Sequence, residues 1–509
     1  MTAAARAPRH RLVLLACALC LTDCTVGPDF ERPTPAAQNA FPDQALGKAG
    51  PADAQQTAAL AAQARGDWWR LLESPKLDDV VRQSLAQNWT LASRKAAIVQ
   101  AGRELAGVKG ENYPTLNAVS EGGQTRIGAT VFGVDALNFP IFSAYGVGLA
   151  AGYEPDVFGG RRRRIEGAAA NVEEQIDEWE ATGVTLVTNV ALQAVQFAEA
   201  RREVALQQDI VASDQQTVDL VSSAHRVGAA PNADVVQSQA QLEHDRAQIP
   251  ALRQRLELAK DALATLAGRS PADWTPPDFE LADFTLPEAL PSVAPSQLAH
   301  QRPDILAAEA HLHSASAAIG VATADLYPQF DLTAVVSREG LLGGPAETAW
   351  TLLGGATAPI FNGGRLRAAK AAAEAAYRES FADYQQVVIT ALGQIADALN
   401  ALANDADTLA AQERAQASAS ESLRLARQGY GAGSADLTRV LDSQRLLDEA
   451  QRGVVQAQAA RLADTVRLFS ALGLQLPPGR DRAATDRRDA PITPPQASGA
   501  LDDRRPRPS

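Results

Sequence analysis

The most constraining feature of the sequence is a pair of long stretches without proline. No proline occurs from Val157 to Ala230, nor from Ile360 to Leu476. In the second stretch, apolar residues alternate spacings of four and three, the a/d pattern of helices that pack side by side: Val388, Leu392, Ile395, Leu399, Leu402, Ala406 and Leu409. At ~1.5 Å per residue, a helix of about 65 residues is on the order of 100 Å long. Such a rod is too long for a compact globule.

The same series of motifs occurs twice along the chain, in the same order. The pairs are "ENYPTLNAVSEGG" with "DLYPQFDLTAVVS", "EPDVFGGRRRR" with "APIFNGGRLRA", "HRVGAAPNADVV" with "QGYGAGSADLTRV", and "LATLAG" with "LFSALG". The spacing between the two members of a pair stays nearly constant. A repeat of this kind indicates tandem structural units.

Each unit predicts the same succession of elements. A helix comes first (about 77–110 and 302–325), and a Tyr-Pro pair ends it, because proline lacks an amide donor and disfavours helix before it. We then expect a β-hairpin and a long helical hairpin. The predicted β-hairpins span 114–153 and 327–361, and the helical hairpins span 160–268 and 364–473. With the linker 269–290, the first repeat covers 67–290 and the second covers 291–476.

All three cysteines lie at the N-terminus, at Cys17, Cys20 and Cys24. A basic start and the apolar run "LVLLACALCL" are typical of a signal peptide, and the run is too short to span a membrane. The following "LTDC" resembles a bacterial lipobox, although Asp23 replaces the usual Gly or Ala. We expect cleavage of residues 1–23 and covalent diacylglycerol and palmitate on Cys24. An ordinary secretory signal is the alternative.

Two further segments differ in composition from the repeats. Residues 24–66 are rich in Pro, Ala and Gln and predict an extended, acylated tether, and residues 477–509 predict a disordered tail. Two Trp residues in "DWWRLL" are expected to anchor the end of the tether against the helices. No other apolar run has the length of a membrane-spanning helix, so a membrane crossing would require β-strands.

Composition excludes several functional classes. The net charge of −13 argues against a nucleic-acid partner. His311 and His313 are spaced i, i+2 on a predicted helix and do not share a face, so they are a poor metal pair. No Ser/His/Asp or Cys/His constellation with supporting motifs and no phosphate-binding glycine loop occurs. We therefore predict that the protein is not an enzyme and has no dissociable cofactor. Met1 is the only methionine, which favours small organic compounds over soft metal ions as cargo.

The predicted strands indicate an oligomer. Even small membrane barrels have about eight strands, and the chain supplies four. Unpaired strand edges in lipid are very costly. If these strands lie in a membrane, several copies must share one barrel, and the long helices would close a tube beneath it. We therefore predict a mainly α fold with a membrane β-barrel.

The chain resembles the outer-membrane factor family of TolC/NodT-type efflux lipoproteins. The resemblance covers about residues 24–475 and rests on "CTVGPDFERP", "DWWRLL", "QRPDILAAEA", "YPQFDL", "PIFNGGRLRAA" and "YGAGSADLTRVLDSQRLLDEAQ". It implies a homotrimeric α/β barrel with four strands per chain in the outer membrane and long helical hairpins in the periplasm. It also implies passive exit of substrates supplied by an inner-membrane RND-type pump through a periplasmic adaptor, and contact with outer-membrane lipid.

The resemblance also suggests where the working residues lie. The turns of the two helical hairpins are expected to contact the adaptor: Val227, Gly228 and Ala229, and Gly431, Ala432 and Gly433. Tyr430, Asp442 and Arg445 match family positions of the closed periplasmic aperture. Asp442 and Arg445 are spaced i, i+3 and can meet on one helix face. An ordinary surface ion pair is the alternative. The run Arg161–Arg164 is interpreted as a charged belt near the membrane boundary.

Two alternative functions are compatible with parts of the sequence. The same duct could serve a type I protein secretion system, although the lipoprotein-like N-terminus favours efflux. A periplasmic coiled-coil protein without a pore would also contain long helices. A coiled-coil protein without a pore needs no β-hairpins. The presence of the two predicted β-hairpins therefore favours a membrane duct over a coiled-coil rod.

Overall fold

The computed structural model describes residues 25–33, 66–125, 141–287 and 301–473. Its helices are α1 (Pro75–Gln87), α2 (Trp89–Gly110), α3 (Gly160–Arg226), α4 (Asn232–Arg246), α5 (Ile249–Leu266), α6 (Pro303–Ala324), α7 (Arg365–Gly431) and α8 (Leu437–Ala471). Short 3-10 turns occur at Trp68–Leu72 and Leu281–Asp283. The strands are β1 (Thr115–Thr125), β2 (Phe142–Tyr153), β3 (Gln329–Leu341) and β4 (Ala346–Thr357).

The two halves of the chain contain corresponding elements of equal length. Helices α2 and α6 each have 22 residues, and α3 and α7 each have 67. In both halves the shorter helix precedes a β-hairpin, and the long helix follows it. The predicted fold class, mainly helical with four strands in two tandem repeats, is confirmed.

Two helices that the sequence predicts as continuous are broken. The first helix divides at Asn88, whose side chain accepts hydrogen bonds from the amides of Thr90 and Leu91 and so begins a new helix. The return helix of the first hairpin divides between α4 and α5, just before Pro250. Proline has no amide proton for the preceding turn, which explains this second break. In the second repeat, α8 is continuous.

The strands form one antiparallel sheet in the order β1-β2-β3-β4. Strands β1 and β2 pair, β3 and β4 pair, and the two hairpins join through β2 and β3. Within one chain, β1 and β4 therefore each leave one edge open. An open edge presents unpaired amide and carbonyl groups to any strand placed beside it.

The main apolar core lies within the helical region. Trp68, Trp69 and Phe469 are buried there with residues of α1, α3, α5 and α8. The Trp68 ring lies 5.6 Å from the Phe469 ring, centroid to centroid. The tryptophans thus fix the start of the first repeat against the end of the second, in agreement with the anchor predicted for them.

Several predicted segments lie outside the described residues. These are the signal peptide 1–23, Cys24, most of the tether 24–66, and the tail 477–509. One described helix, α7, is long and apolar enough by length and composition alone to cross a membrane. The expectation that no apolar run other than the signal peptide approaches membrane-spanning length was therefore wrong by this criterion. Since α7 packs along α6 and α8, and core helices of soluble proteins meet the same criterion, the finding is weak evidence of a span.

Candidate functional site

The two faces of the sheet differ in polarity. In an antiparallel sheet, paired residues share a face, and successive pairs alternate between faces. One face carries the rows Leu116–Ala151–Ala334–Leu352 and Ala118–Leu149–Val336–Trp350, which are apolar throughout. Trp350 and Leu352 are exposed, at 77% and 69%. A broad exposed apolar face of this kind is suited to lipid.

The opposite face of the sheet is polar and acidic. The register places Glu121, Gly146, Glu339 and Glu347 in one row across all four strands. A Cβ at Gly146 would lie 3.4 Å from Glu339 Cγ and 3.5 Å from Glu121 Cγ, so the glycine leaves room for both side chains. Residues facing a water-filled lumen in a membrane sheet are polar. The sequence did not single out these glutamates, because their common row depends on the strand register.

The turn that ends α3 is a tight glycine cap. The amide of Gly228 donates to the His225 carbonyl at 2.9 Å, and the amide of Ala229 donates to the Ala224 carbonyl at 2.9 Å. These two bonds form a Schellman motif, in which the residue at C′ adopts a left-handed conformation. Gly228 occupies that position, with φ +78°. Val227, next to it, is 80% exposed.

The turn that ends α7 has the same construction. The amide of Gly433 donates to the Tyr430 carbonyl at 3.0 Å, and that of Ser434 donates to the Gly429 carbonyl at 2.9 Å. Gly433 has φ +72°. The remaining residues predicted for this tip, Gly431 and Ala432, are exposed. The two hairpins therefore end in matching caps whose outer residues are open to a partner.

The structure separates the three predicted gate residues into two groups. Asp442 and Arg445 lie together on α8, with Oδ1 and Nη1 3.7 Å apart, and both side chains are at least 60% exposed. Tyr430 lies at the end of α7 and packs against the apolar cluster between the two hairpin ends. Burial raises the pKa of the Tyr430 hydroxyl, with a smaller contribution from the Asp234 carboxylate.

Sequence reasoning missed Asp234 as a neighbour of Tyr430. Asp234 belongs to the first turn of α4, in the first hairpin, whereas Tyr430 belongs to the second. The only available signal was an acidic residue near a helix N-terminus, which is common because it interacts favourably with the helix dipole. Tyr430 of the second hairpin and Val235 of the first pack on the same apolar cluster, so the two hairpin ends are adjacent.

Residues 25–33, here called the N-terminal strap, lie against the start of α3. The amide of Val26 donates to the Phe158 carbonyl at 3.1 Å. Arg163, only 4% exposed, donates from Nη2 to Asp29 Oδ1 at 2.6 Å and from Nε to the Val26 carbonyl at 3.3 Å. Gly27 (φ +98°) packs so closely on Gly320 that a Cβ would lie 2.4 Å from its Cα. The strap is therefore fixed where the sheet meets the helices.

The strap corrects the interpretation of Arg161–Arg164 as a uniform charged belt. Arg163 is buried by the strap, and it also donates to Glu166. Identical neighbours in the sequence gave no signal that distinguished it. His313 stacks on Phe30 of the strap and bonds Glu166 at 2.9 Å, whereas His311 contacts Glu174. The two histidines thus have separate partners.

Known proteins resemble the chain over most of its length. The family described as "Outer membrane efflux protein" matches residues 80–269 and 294–474. The pyoverdine export outer membrane protein OpmQ of Pseudomonas aeruginosa is 30% identical over 80% of this chain and 86% of its own. Outer membrane protein OprJ of Pseudomonas aeruginosa is 29% identical over 92% of this chain and 96% of its own.

A solved structure agrees with these relatives. The outer-membrane channel OprN superposes with a TM-score of 0.80 and 26% identity, over 88% of this chain and 99% of that one. The resemblance extends over both repeats, as the family match does. The chain belongs to the outer membrane efflux protein family, and it is an outer-membrane efflux channel.

Proposed function

We propose that the protein is the passive exit duct of a tripartite pump, exporting small organic compounds delivered by an inner-membrane RND-type transporter through a periplasmic adaptor. The observation that carries the proposal is a two-faced sheet joined to helices of 67 residues, which at ~1.5 Å per residue reach on the order of 100 Å from the membrane. The duct performs no catalytic step, because the energy for transport comes from the inner-membrane partner.

The duct is a homotrimer. Within one chain the strands β1 and β4 have open edges, and four strands are about half the number found in the smallest membrane barrels. Pairing β1 of one copy with β4 of the next satisfies both edges, and three copies give a barrel of about twelve strands. In such a barrel the rows containing Glu121, Glu339 and Glu347 form an acidic ring around the lumen.

The hairpin ends bind the adaptor. Val227 and the outer residues of the second tip are exposed, and the helices beneath them end in matching caps. An exposed apolar side chain at the end of a rigid helical hairpin is suited to contact with another protein. This tip lies at the far end of the helices from the sheet.

A charge placed on the first tip is expected to disable the pump without disturbing the channel. In a strain that lacks the gene, the wild type should lower accumulation of an organic dye, whereas Val227→Glu should leave accumulation at the level of the deletion. The side chain is 80% exposed, so the amount of assembled trimer should be unchanged. Leu220→Glu, at an exposed position farther from the tip, is the matched control and should retain efflux. Full efflux by the Val227 variant would refute adaptor contact at this residue.

Cys24 carries the lipid anchor. It immediately precedes the strap, and Thr25 packs on Gly159 at the junction of sheet and helices. A lipid attached one residue earlier therefore starts at the level where the barrel leaves the membrane. The strap, held by Arg163, connects that lipid to the helical body.

Labelling with palmitate tests the anchor directly. The mature wild-type protein should incorporate labelled palmitate, and Cys24→Ala should incorporate none. A trimer with no label in the wild type would show that the barrel alone holds the protein in the membrane.

Asp442 and Arg445 belong to the closed periplasmic aperture. In a trimer, one Asp442 from each chain faces the axis, and neighbouring carboxylates repel unless a cation compensates them. The Arg445 guanidinium compensates this charge in each chain, since its Nη1 lies 3.7 Å from Asp442 Oδ1. Because both side chains are exposed, the pair adds little to the stability of a single chain.

Replacing Asp442 with alanine is expected to increase channel conductance with little change in stability. The free energy of unfolding should change by less than about 1 kcal/mol, the range of exposed ion pairs. Conductance in planar bilayers measures the opening, and thermal unfolding measures the stability. Asp436→Ala, which removes a helix cap nearby, is the control for local disruption. Unchanged conductance of the Asp442 variant would contradict the gate assignment.

A further inference from the structure

A belt of buried polar side chains joins the two helical hairpins above their tips. It contains three acids, Asp214 on α3, Asp245 on α4 and Asp448 on α8, each 3% exposed. Two arginines that are not themselves buried reach this belt, the exposed Arg427 of α7 and the partly buried Arg452 of α8. The apolar cluster at the hairpin ends separates this belt from the tip residues. Buried carboxylates are costly unless each one is paired or protonated.

Arginine and glutamine side chains connect the hairpins across this belt. Arg427 Nη2 donates to Ser213 Oγ at 2.8 Å, and Arg452 Nη2 donates to Gln207 Oε1 at 2.9 Å. In turn, Gln207 Nε2 donates to the Asp245 backbone carbonyl at 2.9 Å. The two arginine bonds join the second hairpin to α3 of the first, and the Gln207 bond joins α3 to α4 within the first. The belt is therefore a structural joint between the first and second hairpins.

One carboxyl oxygen in the joint has no hydrogen-bond donor among the described residues. It is Oδ2 of Asp214, which is fully buried. The group that faces Asp214 within hydrogen-bonding reach is the carboxyl of Asp245. Two ionised carboxylates cannot hydrogen-bond each other, because neither has a proton to donate. A proton on one of them creates the missing bond and removes the repulsion.

The charges of the three acids and two arginines in the joint sum to zero only when one proton is bound. Three ionised carboxyls against two guanidinium groups leave one negative charge in excess, and one proton cancels it. The other two acids have donors: Asp448 Oδ1 accepts from Gln444 at 2.9 Å, and Asp245 Oδ2 accepts from Gln241 at 2.6 Å. Asp214 is therefore the acid that lacks compensation.

We propose that Asp214 and Asp245 bind one proton between them, and that this proton locks α3 to α4 within the first helical hairpin. Release of the proton leaves adjacent negative charges on α3 and α4, which also repel the Asp448 carboxylate on α8, and loosens the joint. The site is distinct from Asp442 and Arg445, so the proposal stands or falls independently of the gate assignment.

The groups around Asp214 give the direction of the pH dependence. Burial raises the pKa of Asp214 to about 7, aided by Asp245 and Asp448 and opposed by Arg427. A carboxyl whose pKa is raised in the packed state holds its proton more tightly there than in an open state. The locked joint is therefore favoured at low pH and is lost as the pH rises through the pKa of about 7.

Hydrogen exchange of the intact protein in detergent tests this proposal. Exchange protection, corrected for the intrinsic effect of pH, is compared in α3 and α4 at about pH 6 and about pH 8, either side of the pKa of about 7. Protection of both helices near the joint should fall several-fold at the higher pH, while α2 serves as an internal reference. Asp214→Asn carries a permanent donor toward Asp245 and should keep protection high at both pH values.

Two further variants make the test decisive. Asp219→Asn, at an exposed carboxylate on the same helix, should show the full pH dependence of the wild type. Asp448→Asn removes a charge that raises the Asp214 pKa, so the midpoint of the transition should move to lower pH. The midpoint shift in Asp448→Asn tests the proposal even if the Asp214→Asn variant does not assemble. A wild type without pH dependence, unchanged dependence in Asp214→Asn, or an unmoved midpoint in Asp448→Asn would overturn the proposal.

Discussion

Replacing Gly148 with alanine is expected to reduce assembly of the channel about tenfold or more. Gly148 lies in β2, between its partners Val119 on β1 and Ser337 on β3. A Cβ at this position would lie 2.3 Å from the Val336 carbonyl oxygen and 2.7 Å from Ser337 Cα. Both contacts are with backbone, which has no rotamer to change. The strands that join the two hairpins would have to separate.

Each of the three chains in the trimer would bear the free-energy cost of the added methyl group. Overpacking a close-packed site costs about 1–3 kcal/mol, and here the strain falls on backbone pairing. We therefore expect about a tenfold or greater loss of heat-resistant trimer in outer-membrane extracts. Gly123→Ala in β1 is the matched control, because a Cβ there would have no atom within 4 Å. Equal amounts of trimer from both variants would contradict the described register of β2 and β3.

Replacing Trp68 with alanine is expected to destabilise the helical body by about 3–5 kcal/mol, the usual cost of removing a large buried aromatic side chain. The ring is 0% exposed and contacts Trp69 and Phe469. It connects the start of the first repeat to α8, so its loss weakens the closure of one repeat on the other. The midpoint of chemical unfolding in detergent measures the effect.

Trp68→Phe separates packing from hydrogen bonding in this core. Among the described residues, the Trp68 indole nitrogen has no hydrogen-bond acceptor. Phenylalanine therefore forfeits no hydrogen bond and loses only part of the buried ring. We expect less than half of the alanine effect. If the two variants were equally destabilised, the cost would lie in a polar contact rather than in packing.

Much of the fold was predictable because its signals are local and repeated. Proline-free stretches marked the long helices, Tyr-Pro pairs marked the strands, and glycines marked the hairpin ends in both halves. The break at Asn88 was not predicted, since asparagine is tolerated inside helices and caps them only in a suitable backbone conformation. The sequence around Asn88 alone does not show whether this asparagine lies inside a helix or caps the start of a new one.

The working residues were less predictable, because they are brought together from distant segments. Asp442 and Arg445 are one helical turn apart, and their contact was predicted. By contrast, Asp234 comes near enough to act on Tyr430, and Asp214 comes within hydrogen-bonding reach of Asp245, only when separate helices pack. No spacing in the sequence encodes those contacts. The acidic row of the sheet depends in the same way on strand register.

Burial also distinguishes residues that the sequence makes equivalent. Arg163 has arginine neighbours on both sides, yet it alone is buried against the strap. The difference arises because Gly320 on α6 leaves room for its side chain: a Cβ there would lie 2.6 Å from Arg163 Cγ. A small residue on another helix therefore determines which arginine holds the N-terminal segment.

The current that the purified protein carries in planar lipid bilayers shows directly whether three chains form a duct. A duct built from three shared sheets should give discrete, equal current steps, and a Gly148→Ala sample prepared in the same way should give them at least about tenfold less often. If the folded, trimeric protein inserted into the bilayer and neither the wild type nor its Asp442→Ala variant carried current, the protein would not be a duct.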